Sequence, residues 1–234
     1  MTPRPDSYYC PEATGRAKVL VDLHQSEQPL KLYARWFFPT PSFPDSLLPG
    51  WGPDTIFRYL DNAYPDHQPL ILSHNPWERL EVQIWVDYVK DQIIPSFHWF
   101  LQCQSAGADD AEASLDRARQ NFLNQLKVWT CAMHPQGPFF LGESVSAPDL
   151  MLAPWAIRLW VFDLFKGGLG IPDGPDGPDG FNWERWATWL DAVESMKSIK
   201  DTTSDPRQYL PIYKSFADGQ GELAKVMRAG HGIP

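Results

Sequence analysis

Val145-Ser-Ala-Pro-Asp-Leu150, running on into Met151-Leu-Ala-Pro-Trp-Ala-Ile-Arg158, is the stretch on which the fold turns. It spells a helix start. Ser146 is placed to cap the first free N–H groups, and Asp149, three residues later, can reach back to the backbone of the cap. Val145 before the cap and Leu150 just inside the helix make a hydrophobic staple. Pro148 falls in the first turn, where a missing N–H costs nothing. The segment predicts a buried helix running on through Trp155, Leu159 and Phe162.

Outward from this helix the text stays helical. Asn75-Pro76-Trp77-Glu78 reads as a helix opening, with Asn as cap and Pro in the first turn. Leu80, Ile84 and Tyr88 form one apolar stripe and Val82, Val86, Val89 and Ile93 a second. Two stripes predict a helix buried on more than one side. Pro95 predicts a kink, with Phe97 to Leu101 continuing beyond it. Asp109 to Thr130 carries Leu115, Phe122, Leu123, Leu126 and Trp129 at helical intervals, and Pro135-Gln-Gly-Pro138 ends it. Trp186, Leu190, Val193 and Met196 predict another helix, Leu210 to Phe216 a last one, and the tail from Glu222 a surface helix. Asp173-Gly-Pro-Asp-Gly-Pro-Asp-Gly180 has no helix or strand competence and reads as an exposed loop.

The first third reads differently. Arg16 to His24 has helical character, Leu30-Lys-Leu-Tyr-Ala-Arg-Trp36 alternates as a half-buried strand does, and Phe38 to Phe43 and Leu47 to Trp51 are short extended pieces. Asp54 to Leu60 begins a helix ending near Tyr64-Pro65. The change from mixed to helical text places a domain boundary near His67 to His74. Residues 1–68 are therefore expected to form a small mixed domain and residues 75–234 an all-helical one.

Composition narrows the function classes. The chain has 234 residues and a formal net charge of −9, which argues against nucleic acid, whose phosphates need a basic face. No run of bases suggests an anionic membrane, and no apolar run approaches a bilayer span. Met1 to Tyr9 is polar and proline-rich, unlike a signal peptide, so a cytoplasmic location is expected. Cys10, Cys103 and Cys131 have neither disulfide-framework nor zinc spacing, and no metal is expected. Cys103 and Cys131 fall on predicted helices and are expected in the core. The 11 Trp residues predict an aromatic core or an oily pocket.

Taken in order, the Ser-x-x-Asp helix start, Ile56-Phe-Arg-Tyr-Leu-Asp-Asn-Ala-Tyr-Pro65, Ile93-Ile-Pro-Ser-Phe-His-Trp-Phe-Leu101, Trp189-Leu-Asp-Ala-Val193 and Tyr209-Leu-Pro-Ile-Tyr213 resemble a glutathione transferase of the omega-like group found in fungi. The resemblance implies an α+β two-domain fold, a thioredoxin-like amino-terminal domain followed by an all-α bundle. The former is abbreviated here, because the chain between Trp36 and Phe38 is too short for a helix usual in the family. Glutathione as cofactor and a homodimer as assembly are further implications.

Site residues follow from the same resemblance. Phe38-Pro39 matches the segment whose backbone binds the cysteinyl part of glutathione. Pro53 and Asp54 stand at the next helix start, where the family has Glu-Ser; the helix N-terminus can still hold a carboxylate, and Asp54 either takes the ligand's amine or caps the helix. An omega enzyme has Cys-Pro at its catalytic position with Arg five residues after the Cys. Here Cys10-Pro11 is followed by Arg16, one residue too far. Tyr9, Cys10 and Thr14 are the candidates for holding glutathione as thiolate, since a free thiol near pKa ~8.5 is only a few per cent ionised at neutral pH. Arg158 and Trp155 are candidates for the second-substrate pocket, with His98 and Trp99 behind them. The alternatives are an ion pair of Arg158 with Asp163 or Glu81, and core packing for Trp155.

The expected activity is glutathione-dependent chemistry on a hydrophobic, conjugated electrophile in fungal secondary metabolism, trans-to-cis isomerisation of a double bond being one form. An omega-type thiol transferase using Cys10 and a non-catalytic protein with a degenerate glutathione site are the rival readings.

Overall fold

The computed structural model describes residues 18–19, 53–64, 69–71, 75–104, 111–172, 177 and 180–219. The expected helix at Arg16–His24 (Lys18 and Val19 apart), the strand and extended pieces between residues 30 and 51, and the tail from Glu222 lie outside them, as does most of the loop at 173–180.

Helix α1 spans Pro53–Ala63. Its Ile56 and Phe57 are buried. Asp61, in its last turn, accepts hydrogen bonds from the backbone N–H of Leu70 (2.8 Å) and Ile71 (2.7 Å). The carbonyl of Leu70 in turn accepts from the N–H of Ala147 at 3.0 Å. The carboxylate thus ties α1 to the connecting segment, and the Leu70 carbonyl ties that segment to the helix start at Ala147.

Helix α2 covers Pro76–Tyr88, with Asn75 as cap accepting from the N–H of Trp77 at 3.0 Å. A π-helical turn, Val89–Ile93, joins it to α3, Ile94–Gln102. The expected irregularity at Pro95 takes this form: the ring cannot donate to the preceding turn, and the widened turn lies just before it. Only one of the two apolar stripes on α2 is buried. Val82, Val86, Val89 and Ile93 are in the core, whereas Leu80 and Ile84 are half exposed and Trp77 is 72% exposed.

Helix α4, Ala111–Ala132, packs along α3 and buries Phe122, Leu123, Leu126 and Trp129. Cys131, on its last turn, is exposed, which corrects the expectation of a core cysteine; Cys103, just past α3, is partly buried. The staple helix divides in two: α5, Ala147–Ala156, and α6, Trp160–Lys166. Pro154 cannot donate within α5. Residues 157–159 then form a turn in which the N–H groups of Arg158 and Leu159 bond three residues back, to Trp155 and Ala156. Gly167 ends α6 in the left-handed region, φ 72°, where glycine is unstrained. Helices α7 (Glu184–Ser195), α8 (Lys197–Thr202) and α9 (Pro206–Ala217) complete the described bundle.

Two aromatic clusters fill the core. Trp129, Phe140, Trp186 and Trp189 form one, with Trp129 and Trp189 edge-on at 4.7 Å. Phe97, Phe100, Phe122 and Phe162 form the other. The first cluster takes three of the 11 tryptophans expected to fill a core or line a pocket, Trp129, Trp186 and Trp189.

Candidate functional site

The start of α5 is organised by Asp149. Its Oδ2 accepts from the N–H (2.8 Å) and Oγ–H (2.6 Å) of Ser146, and its Oδ1 from the N–H of Phe140 (2.8 Å) and the indole N–H of Trp189 (2.8 Å). Burial pushes its pKa up, and these four hydrogen bonds pull against that shift. The Ser146 hydroxyl thus gives its hydrogen to Asp149. This arrangement fixes the direction of α5, and with it the positions of Trp155 and Arg158.

Arg158 sits in the turn after α5 and is buried, 6% exposed. Its Nη1 donates to the carbonyl of Pro154 at 2.7 Å. Its guanidinium lies 4.5 Å over the ring of Tyr209 on α9, within cation–π range. Among the described residues no carboxylate pairs with it, so neither Asp163 nor Glu81 takes the part of counter-ion. Its Nε, buried, has no hydrogen-bond partner. A buried cation without an acid is costly unless something else meets it. The carbonyl and the π face do so in part.

Trp155 is buried one turn earlier, edge-on to Phe97 at 5.1 Å and to His98 at 5.2 Å. Its indole N–H also has no partner. His98, wholly within the protein, meets Phe216 of α9 at 5.9 Å, while Trp99, its neighbour on α3, is partly buried against the core. Tyr213, one turn after Tyr209, is fully buried; burial pushes its phenol up to about 12, with the charge of Arg158 acting in the opposite sense. The structure therefore brings Arg158, Trp155 and His98 together with Tyr209 and Tyr213 where α3, α5 and α9 meet. The two tyrosines had no assigned role in the sequence reading. Their four-residue spacing on the last helix was the available signal.

Pro53 and Asp54 are the first two residues of α1, so the helix N-terminus expected there is present. Tyr9, Cys10, Thr14, Phe38 and Pro39 lie outside the described residues. A separate groove of about 750 Å³ runs between the end of α4 and the start of α7, lined by Cys131, Pro138, Phe181 and Arg185 among others, and holds none of the predicted site residues. Among the described residues no group of His, Cys, Asp and Glu is arranged to hold a metal ion, and no helix is long and apolar enough to cross a membrane.

With α5, its cap and its neighbours in place, likeness to known proteins is informative. Residues 112–192 match the family "Glutathione S-transferase, C-terminal domain". The structure resembles that of glutathione transferase Omega 3C from Trametes versicolor, with a TM-score of 0.69 and 25% identity, covering 88% of this chain and 97% of that one. It shares its fold with rice GST1, solved in complex with glutathione, with a TM-score of 0.54 and 17% identity over 71% of this chain and 70% of that one. Glutathione S-transferase U16 of Arabidopsis thaliana is 25% identical over 111 residues, 47% of this chain and 46% of the relative, so the chain matches under half the length of that curated relative. The fold is that of the glutathione transferases, and the helical part is of their C-terminal domain type.

Proposed function

We propose that this chain, with its glutathione transferase fold, is a glutathione-dependent enzyme acting on a hydrophobic, conjugated electrophile. The observation that carries the reading is Arg158: a cation enclosed by protein, without an acid among the described residues, with an unused Nε donor, in the turn that follows α5. Such a group is suited to an oxygen on an otherwise apolar molecule. Rings of Tyr209, Trp155 and Phe97 supply the apolar surroundings.

Glutathione would lie against the amino-terminal domain. The backbone at Phe38-Pro39 would hold its cysteinyl part, and the N-terminus of α1 at Pro53 and Asp54 a carboxylate, through free N–H groups and the helix dipole. A donor from Tyr9, Cys10 or Thr14 would keep the sulfur as thiolate, each unit of pKa depression being worth ~1.4 kcal/mol.

The reaction we favour is reversible. The thiolate adds to the far carbon of a polarised alkene, and Arg158 steadies the charge that develops on the conjugated oxygen. The former double bond, now single, rotates. Elimination from the enolate then returns the thiolate and a cis alkene. A protein that stabilises thiolate and enolate and fixes the rotated geometry needs no further chemistry. A place in fungal secondary metabolism is part of this proposal, as is a cytoplasmic location.

A homodimer completes it. The exposed stripe of Trp77, Leu80 and Ile84 along one face of α2 is apolar and suited to a second copy of the chain.

The test is an incubation of a trans-conjugated carbonyl compound with enzyme and substoichiometric glutathione, followed by NMR. A cis product formed beyond the glutathione supplied supports isomerisation. Product limited to the glutathione added indicates conjugation. A mixed disulfide exchange lost in Cys10→Ser would indicate a thiol transferase instead.

A further inference from the structure

The groove of about 750 Å³ between the end of α4 and the start of α7 has a charged wall with no role assigned to it so far. Arg185 lines it from the first turn of α7 and reaches across to the segment joining α4 and α5. Its Nε donates to the carbonyl of His134 (2.9 Å) and its Nη2 to that of Phe139 (2.7 Å). Its Nη1 is shut off from water and has no hydrogen-bond partner in the protein. Among the described residues no carboxylate forms an ion pair with it. Burial pushes its pKa down, with the charge of Asp149 acting in the opposite sense. Asp149 is itself committed to four hydrogen bonds elsewhere. Pro135, Pro138 and Phe181 give the groove an oily surface, and the Lys127 ammonium stands 5.7 Å over the Phe181 ring. The hydroxyls of Thr130 and Thr188 give their hydrogens to the carbonyls of Leu126 (2.7 Å) and Glu184 (2.9 Å), within their own helices. The exposed Cys131 thiol and the exposed Glu184 side chain also line the groove.

We infer that this groove is a ligand site for an oily monocarboxylate, an aryl or alkyl body ending in –COO⁻, with Arg185 as its charged anchor. A guanidinium fixed by two carbonyls keeps its fork in one orientation, and a planar carboxylate is a partner that fork fits. A partly buried cation that no acid meets gains more from an incoming anion than a fully solvated one does. Phe181 and the two prolines take the apolar body, and the groove is of a size usual for small-molecule sites, about 300–1,000 Å³. Glu184 sets a limit. Its charge opposes an anion, so a single negative charge is admitted where a doubly charged phosphate ester would be opposed more strongly. The groove holds neither Arg158 nor Trp155, so this site is independent of the glutathione-dependent chemistry proposed for their junction.

Alkylation of Cys131 in the whole chain by N-ethylmaleimide, followed by peptide mass spectrometry, reads occupancy of the groove directly, because that thiol lines it. 4-Phenylbutyrate and the uncharged 4-phenylbutyramide share an oily body and differ in charge. The acid is expected to slow alkylation of Cys131 at a concentration about tenfold below that needed of the amide. Arg185→Met should erase this preference. Glu184→Gln, which leaves Arg185 and its bonds to the two carbonyls in place, should strengthen binding of the acid about twofold and leave the amide unchanged. No protection of Cys131 by millimolar acid, or equal protection by the amide, overturns the proposal. So does a preference kept in Arg185→Met or, where that variant fails to fold, an unchanged preference in Glu184→Gln.

Discussion

The indole N–H of Trp189 donates to the carboxylate of Asp149 at 2.8 Å, across forty residues of chain. The same carboxylate closes the cap of α5 on Ser146 and takes the N–H of Phe140. A helix start that looks purely local is thereby joined to α7 and to the turn before it.

Replacing Asp149 by Ala leaves three N–H groups and one hydroxyl in the interior without their acceptor. The loss is expected to be about 3–5 kcal/mol, read from urea unfolding, against about 1 kcal/mol for Ser146→Ala. Equal effects of the two substitutions would mean that the Trp189 and Phe140 bonds contribute nothing.

Tyr213 gives the stability a signature at high pH. Its pKa is pushed up to about 12 in the fold, from an ordinary value near 10 in the unfolded chain. The folded state therefore holds the proton through a range where the unfolded state releases it. The contribution is fully present below pH 10 and is lost as the pH rises through 12, about 2–3 kcal/mol in all. Unfolding free energies of the wild type and Tyr213→Phe, compared from pH 9 to 12, should show this extra loss in the wild type alone. Parallel curves would place Tyr213 in contact with water.

Arg158→Met separates a substrate role from a structural one. The guanidinium has no carboxylate partner among the described residues, so its removal should leave the urea midpoint unchanged or raise it. With glutathione and trans-2-nonenal, kcat/KM should fall about tenfold or more. A lowered midpoint with unaltered kinetics would make Arg158 part of the scaffold.

The stripe on α2 predicts an assembly. Sedimentation of the wild type should report twice the chain mass of 26.7 kDa, and Ile84→Glu should shift it to a single chain. A monomeric wild type would leave Trp77, Leu80 and Ile84 as plain surface.

These relationships differ in how far the sequence announced them. The start of α5 was legible because its signals, Ser146, Pro148 and Asp149, lie within four residues and act on their own backbone. Its end was not. Periodicity carried the helix on to Phe162, while Pro154 and the turn at residues 157–159 interrupt it, and Arg158 owes its position over Tyr209 to that interruption. Leu80 and Ile84 show another limit: spacing marks an apolar face without saying what covers it. Cys131 was assigned to the core because it sits on a helix, but the last turn of α4 projects it outward. At the candidate site, Trp155 and Arg158 were found through their helix. Tyr209 and Tyr213 belong to α9, and only tertiary packing brings that helix beside Arg158. The residues expected to touch glutathione at positions 9 to 39 remain expectations drawn from the family resemblance.

Calorimetric titration of the whole chain with glutathione tests the central claim most directly. One molecule bound per chain, with affinity reduced when Asp54 is replaced by Ala or the backbone N–H groups at the start of α1 are blocked by a competing carboxylate, is the predicted result. Absence of binding at millimolar glutathione would contradict a glutathione-dependent activity and leave a glutathione transferase fold put to another use.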